Sequence, residues 1–303
     1  WKAGGHGNET FFEVMQNSCN PGFMEIGLRL GKEKLFKYIK NYGFGEKTNV
    51  DLLGEAKGIL FDLDRVGNVE LATSSFGQGN SGTAIQLVNA SCAAVNGGML
   101  NKPYIVKGIG IENSKVFYKS VENVRRVISK ETSDVVCTAL ERVVSLGTAR
   151  SAYIEGYRVG GKTGTAQIPV NGVYLDNTYI LSFLGIAPMN NPQITCYIAI
   201  KAPKTYVQYG GVVVAPLVKE VLTQSFSIMN IEKQSGGISI DSRWYVDSFY
   251  YTVEDYINKN VKEVLPHPFY KIKIIGKGDK IINQIPKQGE RIIQDNYVYL
   301  YTN

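Results

Sequence analysis

The chain has 303 residues, 44% of them hydrophobic and 20% charged, the balance of a folded protein with room for one large domain and one small one. Its net charge of +6 is spread along the chain with no Lys/Arg run or basic helix, which excludes an electrostatic nucleic-acid binder. The four cysteines, Cys19, Cys92, Cys137 and Cys196, stand far apart without a CxxC pair, so free thiols are expected rather than a disulfide framework.

Apolar residues recur at helical spacing over residues 8–17 and again over 22–42, where Gly43 and Gly45 end the pattern. Residues 83–96 predict a buried helix stopped by Gly97-Gly98, and residues 130–146 predict another. Three short β-branched or aromatic runs follow, at 157–164, 179–187 and 194–201, separated by turn signals at Asn171-Gly172 and Asn190-Asn191-Pro192. They predict an antiparallel sheet, and the helical pattern at 213–229 predicts a helix packed on it, an α+β arrangement. The texture changes near Gln234-Ser235-Gly236-Gly237, which places a domain boundary between residues 231 and 232. Beyond it come a helical stretch around 252–260 and strands at 272–275, 280–284 and 297–301, a small α/β module.

Two short motifs carry chemistry. Lys162-Thr163-Gly164-Thr165 offers a cation, two hydroxyls and an open backbone at the end of a strand. Thr163 and Thr165 share a face because strand side chains alternate, so both can grip one carboxylate, and Gly164 lets a ligand approach the main chain. A chance K-T-G in an exposed hairpin is the plain alternative. Ser18-Cys19-Asn20, between the first helix and Pro21-Gly22, places a hydroxyl and an amide two residues apart; a polar helix-ending turn explains it equally. Cys19, the middle residue, would turn away from Ser18 and Asn20 toward the glycine-rich loop that carries His6. Thiolate and imidazole are zinc ligands, so His6 and Cys19 form a candidate structural zinc pair, against simple packing of the thiol under the loop. Cys92, Cys137 and Cys196 lie on apolar patterns and read as core, and His267 reads as a loop residue.

Together the motifs gain meaning. S-x-x-K, S-D-N and K-T-G mark penicillin-binding proteins and class A β-lactamases, and the second and third occur here in order, with Ser18-Cys19-Asn20 standing for S-D-N. Leu71-Ala72-Thr73-Ser74-Ser75-Phe76-Gly77-Gln78-Gly79, Gln86-Leu87-Val88-Asn89, Lys102-Pro103-Tyr104 and Gly147-Thr148-Ala149-Arg150 complete a resemblance to class B penicillin-binding protein transpeptidases over residues 1–231. Residues 232–303, through Ile285-Pro286-Lys287-Gln288-Gly289-Glu290, resemble a PASTA module. The single trailing module and the opening Trp1-Lys2-x-Gly4-Gly5-His6-Gly7 are similar to the sporulation branch of that family.

The resemblance implies the penicillin-binding and serine β-lactamase fold, no required cofactor, and D,D-transpeptidation of peptidoglycan stem peptides in spore cortex, with β-lactams as inhibitors. Ser18 would relay a proton to the leaving amine and Asn20 would orient the substrate amide. Lys162 would tune Ser18, Thr163 and Thr165 would hold the substrate carboxylate, and the Thr165 N–H would serve the oxyanion hole. Tyr209-Gly210-Gly211 lines the cleft mouth in such proteins, or is a plain turn. The family pattern also implies a glycosyltransferase partner and an extracytoplasmic position anchored by an upstream membrane helix. No serine in the chain is followed three residues later by lysine, so the nucleophile and its base are expected upstream of Trp1, and the chain alone is expected to be inactive. Transfer to water (a carboxypeptidase or β-lactamase) and β-lactam or muropeptide sensing without catalysis are the alternatives; the Gly-rich segment 73–82 and the tail speak against the former.

Overall fold

A computed structural model of the chain describes residues 6–110, 116–170, 173–205, 207–240, 250–293 and 296–303. The chain divides into two compact units, one of residues 1–203 and 207–240, the other of residues 204–206 and 241–303.

The first unit opens with three helices, α1 (Phe11–Asn17), α2 (Asn20–Leu30) and α3 (Lys32–Asn41). The pattern at 22–42 is therefore two helices. It breaks at Gly31, whose φ of +82° takes the backbone out of the right-handed helical region. Next come α4 (Asn68–Ser75) and α5 (Ala84–Val95). A Thr83–Gln86 capping box starts α5. The same Gln86 is almost fully buried and donates to the carbonyls of Glu46 at 2.6 Å and Lys57 at 2.9 Å, pinning the preceding loop. Four short strands lie on either side of the 111–115 segment: β1 (Met99–Asn101), β2 (Gly108–Ile109), β3 (Phe117–Tyr118) and β4 (Asn123–Arg126). None of these two-to-four-residue strands was legible in the sequence.

After α6 (Lys130–Ser145) the chain forms an antiparallel sheet of β5 (Gly160–Val170), β6 (Val173–Ala187) and β7 (Ile194–Lys201), in the order β5-β6-β7. The Asn171-Gly172 turn lies outside the described residues. Helices α7 (Gly210–Val213) and α8 (Ala215–Ile228) close the unit. The helix expected at 213–229 is α8, preceded by the single turn of α7, with Val214 between them and Pro216 in the first turn of α8, where its missing N–H costs nothing.

Period-two alternation along β6 sorts the core. Leu181 and Phe183 face one side and pack with Val218, Leu222 and Phe226 of α8. Leu184 and Ile186 face the other and pack with Val95 of α5 and with Cys137 and Leu140 of α6. The sheet is covered on both faces, and the expected α+β architecture holds for this unit.

At α6 lies a charge pair with its carboxylate buried and its guanidinium partly exposed. Glu141, 2% exposed, receives Arg158 through Nη2 at 2.6 Å and Nε at 3.1 Å, and its Oε1 also accepts the Ile238 N–H at 2.9 Å. The Gln234 N–H reaches the Gly156 carbonyl at 2.7 Å, and Ile231 belongs to the α8 core. Residues 232–240 therefore stay on the first unit, and the division falls at 240–241 instead of 231–232. A chain cut after residue 231 is expected to be less stable than one cut after 240 by about 1–3 kcal/mol, because Glu141 and Gly156 lose partners they hold away from water. Equal urea midpoints for the two truncations would remove the basis for this boundary.

The second unit is built from β8 (Tyr250–Thr252), β9 (Lys271–Ile275), β10 (Ile281–Ile285), β11 (Arg291–Ile293) and β12 (Tyr297–Thr302). β12 lies between β10, antiparallel, and β9, parallel, while β8 pairs with β11. Val253, Tyr256, Ile281, Val298 and Leu300 form its core. Among its described residues there is no α-helix, only a 3₁₀ turn at Val261–Glu263. The helix expected around 252–260 is replaced by a loop whose backbone bonds go elsewhere. Buried Gln284 accepts the Tyr256 N–H at 2.7 Å and donates to the Glu254 carbonyl at 2.9 Å, and the Asn258 N–H reaches Ile281. Local periodicity loses to a long-range side-chain cap.

Candidate active site

The Ser18-Cys19-Asn20 segment is the joint between two helices. Thr10 and Glu13 cap the start of α1 reciprocally, and Ser18 ends it in the left-handed region, φ 52° and ψ 47°. Asn20 opens α2 with Pro21 behind it, so the chain turns sharply and leaves Asn20 exposed.

Lys162 meets this joint from β5. Its Nζ donates to the Ser18 hydroxyl at 2.5 Å and to the Thr163 carbonyl at 3.2 Å, across 144 residues of sequence in the first case. Burial disfavours the ammonium and brings its pKa down to about 8. A lysine in this state switches between cation and neutral amine close to physiological pH, as proton-handling groups do.

Among the described residues β5 is an edge strand, paired with β6 alone. Its free edge offers backbone donors and acceptors that can take an extended peptide as one more strand. Thr163 and Thr165 share one face, as the alternation requires. The Thr163 hydroxyl lies 3.2 Å from that of Thr148, and Thr165 Oγ1 accepts the Gly210 N–H at 3.5 Å. Tyr209-Gly210-Gly211 is therefore a flank of the K-T-G strand, with Ser151 donating to the Gly211 carbonyl. Lys162 and Gly164 occupy the opposite face, across from Leu184 and Ser182. A Cβ on Gly164 would lie 2.4 Å from Ser182 Oγ, so the cross-strand neighbour requires glycine here before any ligand does.

That face of β5 borders a groove of about 330 Å³ lined by Leu87, Ser91 and Ala94 of α5, Val136 and Leu140 of α6, and Leu184 and Tyr197 of the sheet. It is mostly hydrocarbon with Lys162 at its polar end.

Gly147-Thr148 couples the two motifs. The Thr148 N–H bonds the Gln16 carbonyl at 3.1 Å, Gln16 Nε2 reaches the Leu146 carbonyl at 3.2 Å, and a Cβ on Gly147 would come within 2.2 Å of the Gln16 oxygen. Through Thr148 and Thr163 the end of α1 is fixed against β5.

Cys19, between Ser18 and Asn20, is buried beside Glu9 and His6. Its thiol is raised by burial and by the neighbouring Glu9 carboxylate. Cys19, His6 and Glu9 bring one ligand atom each within 4.8 Å of one another, so the structure gathers the expected pair and adds Glu9. His6 and Gly7 are the part of the opening loop within the described residues.

A family model described as the penicillin binding protein transpeptidase domain matches residues 1–223. The chain belongs to the penicillin-binding protein transpeptidase family. This transpeptidase chain is 46% identical to the stage V sporulation protein D of Bacillus subtilis across 99% of its own length and 47% of the relative's. It is 31% identical to a probable peptidoglycan D,D-transpeptidase PenA of Neisseria meningitidis, across 72% of its length and 36% of that protein. The chain thus spans about half or less of these curated relatives. Among solved structures, penicillin-binding protein 3 of Mycobacterium tuberculosis complexed with ampicillin superposes with a TM-score of 0.69 at 28% identity, covering 77% of this chain and 54% of that one. The transpeptidase domain of Burkholderia pseudomallei penicillin-binding protein 3 gives 0.67 at 32% identity, covering 75% and 66%.

Of the residues around the site, Thr148, Ser182 and Glu9 were missed as such by sequence reasoning. Thr148 sits in a quoted motif, but nothing in its spacing points to Thr163. Ser182 lies opposite Gly164, so a register count along the hairpin could have found it.

Proposed function

We propose that this transpeptidase domain cross-links peptidoglycan stem peptides through a serine acyl-enzyme in spore cortex synthesis, with the attacking serine supplied by another part of the complete protein. The observation that carries the reading is the 2.5 Å contact from Lys162 to Ser18 at the polar end of the apolar groove. A segment seated in that groove would set its own serine beside a lysine and a hydroxyl already in hydrogen-bond contact. Acyl transfer then runs in two steps. The serine oxygen attacks the penultimate D-Ala carbonyl, and the terminal D-Ala leaves as an amine that takes its proton through Ser18. An amine of a neighbouring stem peptide next attacks the ester and frees the serine.

The remaining residues bind. The substrate lies along the free edge of β5, its carboxylate between the Thr163 and Thr165 hydroxyls and the Lys162 charge. The exposed Asn20 amide orients the peptide bond, and the Thr165 N–H with that of the nucleophile stabilises the oxyanion. The reaction needs no cofactor. β-Lactams would enter as mimics of the D-Ala-D-Ala end. The second unit is a PASTA-like module for wall contact, and a glycosyltransferase would supply the glycan strands. The complete protein would work on the outer face of the membrane, held by a helix elsewhere in it; among the described residues no helix is long and apolar enough to cross a membrane.

The 303-residue chain alone is expected to form no covalent adduct with a fluorescent penicillin, and the complete protein, with its S-x-x-K segment, to label stoichiometrically. With an amine acceptor present, the complete protein should pass the acyl group to that amine in preference to water. Labelling of the isolated chain at one of its own serines would overturn the assignment of the nucleophile.

A further inference from the structure

We infer that Thr148 is a positioning residue whose hydroxyl directs the Thr163 proton at the substrate carboxylate, a role that rests on the reading of Thr163 and Thr165 as carboxylate holders. The two side chains meet Oγ1 to Oγ1 at 3.2 Å, and among the described residues each hydroxyl has the other as its hydrogen-bond partner. A threonine hydroxyl carries one proton and two lone pairs, so either oxygen can donate while the strand edge is empty. An arriving carboxylate removes that choice, because it only accepts. Thr163 must then turn its proton to the ligand and accept from Thr148. The result is a one-way chain from Thr148 through Thr163 to the anion, in which each bond polarises the next and the bond to the charged group gains most.

Thr165 shows why Thr163 needs this help. Thr165 Oγ1 accepts the Gly210 N–H at 3.5 Å, a donor that cannot reverse, so its own proton is already free for a ligand. Thr163 reaches the same state only through Thr148. The backbone around Thr148 holds it to the task. Its N–H donates to the Gln16 carbonyl at 3.1 Å, two residues ahead of Ser18. From the other side a Cβ on Gly211 would collide with the Thr148 carbonyl and lie 3.4 Å from Thr163 Cγ2, and Ser151 ties down the Gly211 carbonyl. The end of α1, the Gly210-Gly211 turn and β5 therefore converge on one half-buried hydroxyl. An ester in place of the carboxylate offers lone pairs without charge and draws less from such a chain, so Thr148 adds to the selection of a free carboxylate.

The test compares a fluorescent penicillin with its methyl ester as acylating agents of the complete protein. Wild type should favour the free acid. Thr148→Val should slow acylation by the acid about 3–10-fold and by the ester less than about twofold, and Thr148→Ser should restore the acid rate. In a Thr163→Val background the Thr148→Val change should have no further effect, since the group it acts through is gone. Thr148→Ala removes the same hydroxyl and replaces the valine variant should that one not fold. A merely structural role would slow acid and ester alike and would add to Thr163→Val. An acid-to-ester ratio unchanged by loss of the Thr148 hydroxyl, or losses that add with Thr163→Val, overturns the role of Thr148 and leaves the carboxylate reading standing. A wild-type protein with no preference for the acid overturns both.

Discussion

In the complete protein, Lys162→Met is expected to slow acylation by a fluorescent penicillin by about 10²–10³-fold, the usual cost of removing one group that stabilises developing charge in a closed site. The side chain keeps most of its length and loses its charge, its contact with the Ser18 hydroxyl, and its titration near pH 8. Stability should move the other way. The folded-state pKa of about 8 lies below the ordinary 10.5, so the unfolded chain binds this proton more tightly. Burying Lys162 therefore opposes folding fully below about pH 8, less so between about 8 and 10.5, and no longer above that. Urea melts of the 303-residue chain should show the methionine variant at least as stable as wild type at neutral pH, with the gap closing as the pH rises through that window. A variant that is both slow and less stable would mark Lys162 as a packing residue whose loss disturbs the site indirectly.

The largest stability loss is expected from Glu141→Ala, about 2–3 kcal/mol in urea titration, since removing one half of a partly buried pair leaves the other charge only partly solvated. Arg158 would keep its guanidinium beneath α6 without its carboxylate, and the Ile238 N–H would lose its acceptor. The double variant Glu141→Met with Arg158→Met should recover most of the loss, because apolar side chains of similar volume remove both charges at once. A loss under about 1 kcal/mol for the single variant would mean that water reaches the pair.

What could be read from the sequence follows the range of the interactions. Alternation along 157–164 put Thr163 and Thr165 on one face, and the hydroxyls sit there, against Thr148 and Gly210. Pro21 and the apolar spacing before Ser18 marked the joint between helices, which the structure bears out. The contact that gives the joint its chemistry was out of reach, since no local rule relates Ser18 to a lysine 144 residues away. Glu9 escaped for the opposite reason: an acid ahead of a helix start looks like an ordinary surface residue until Asn17 and Cys19 fold back on it. The helix expected around 252–260 failed where Gln284, a distant polar side chain, supplies the bonds that a helix would have made within itself.

The separation of Ser18 and Lys162 also bears on how the chain acquires its shape. Closing a loop of 144 residues costs roughly 4 kcal/mol of chain entropy before any contact repays it, so this pair cannot nucleate folding. Hairpin β5–β6 and the α5–α6 region are expected to gather first from nearer partners, with α1 docking onto them late. During synthesis the Ser18 segment emerges early and then waits for β5, and for the Gly210 turn that flanks it, before it has a surface to dock on. Until then α1 is a short helix without the α6 and β5 partners it packs on, open to chaperones and proteases. Variants that weaken the Gln16–Thr148 link are accordingly expected to reduce yield more than they reduce the stability of molecules that have already folded.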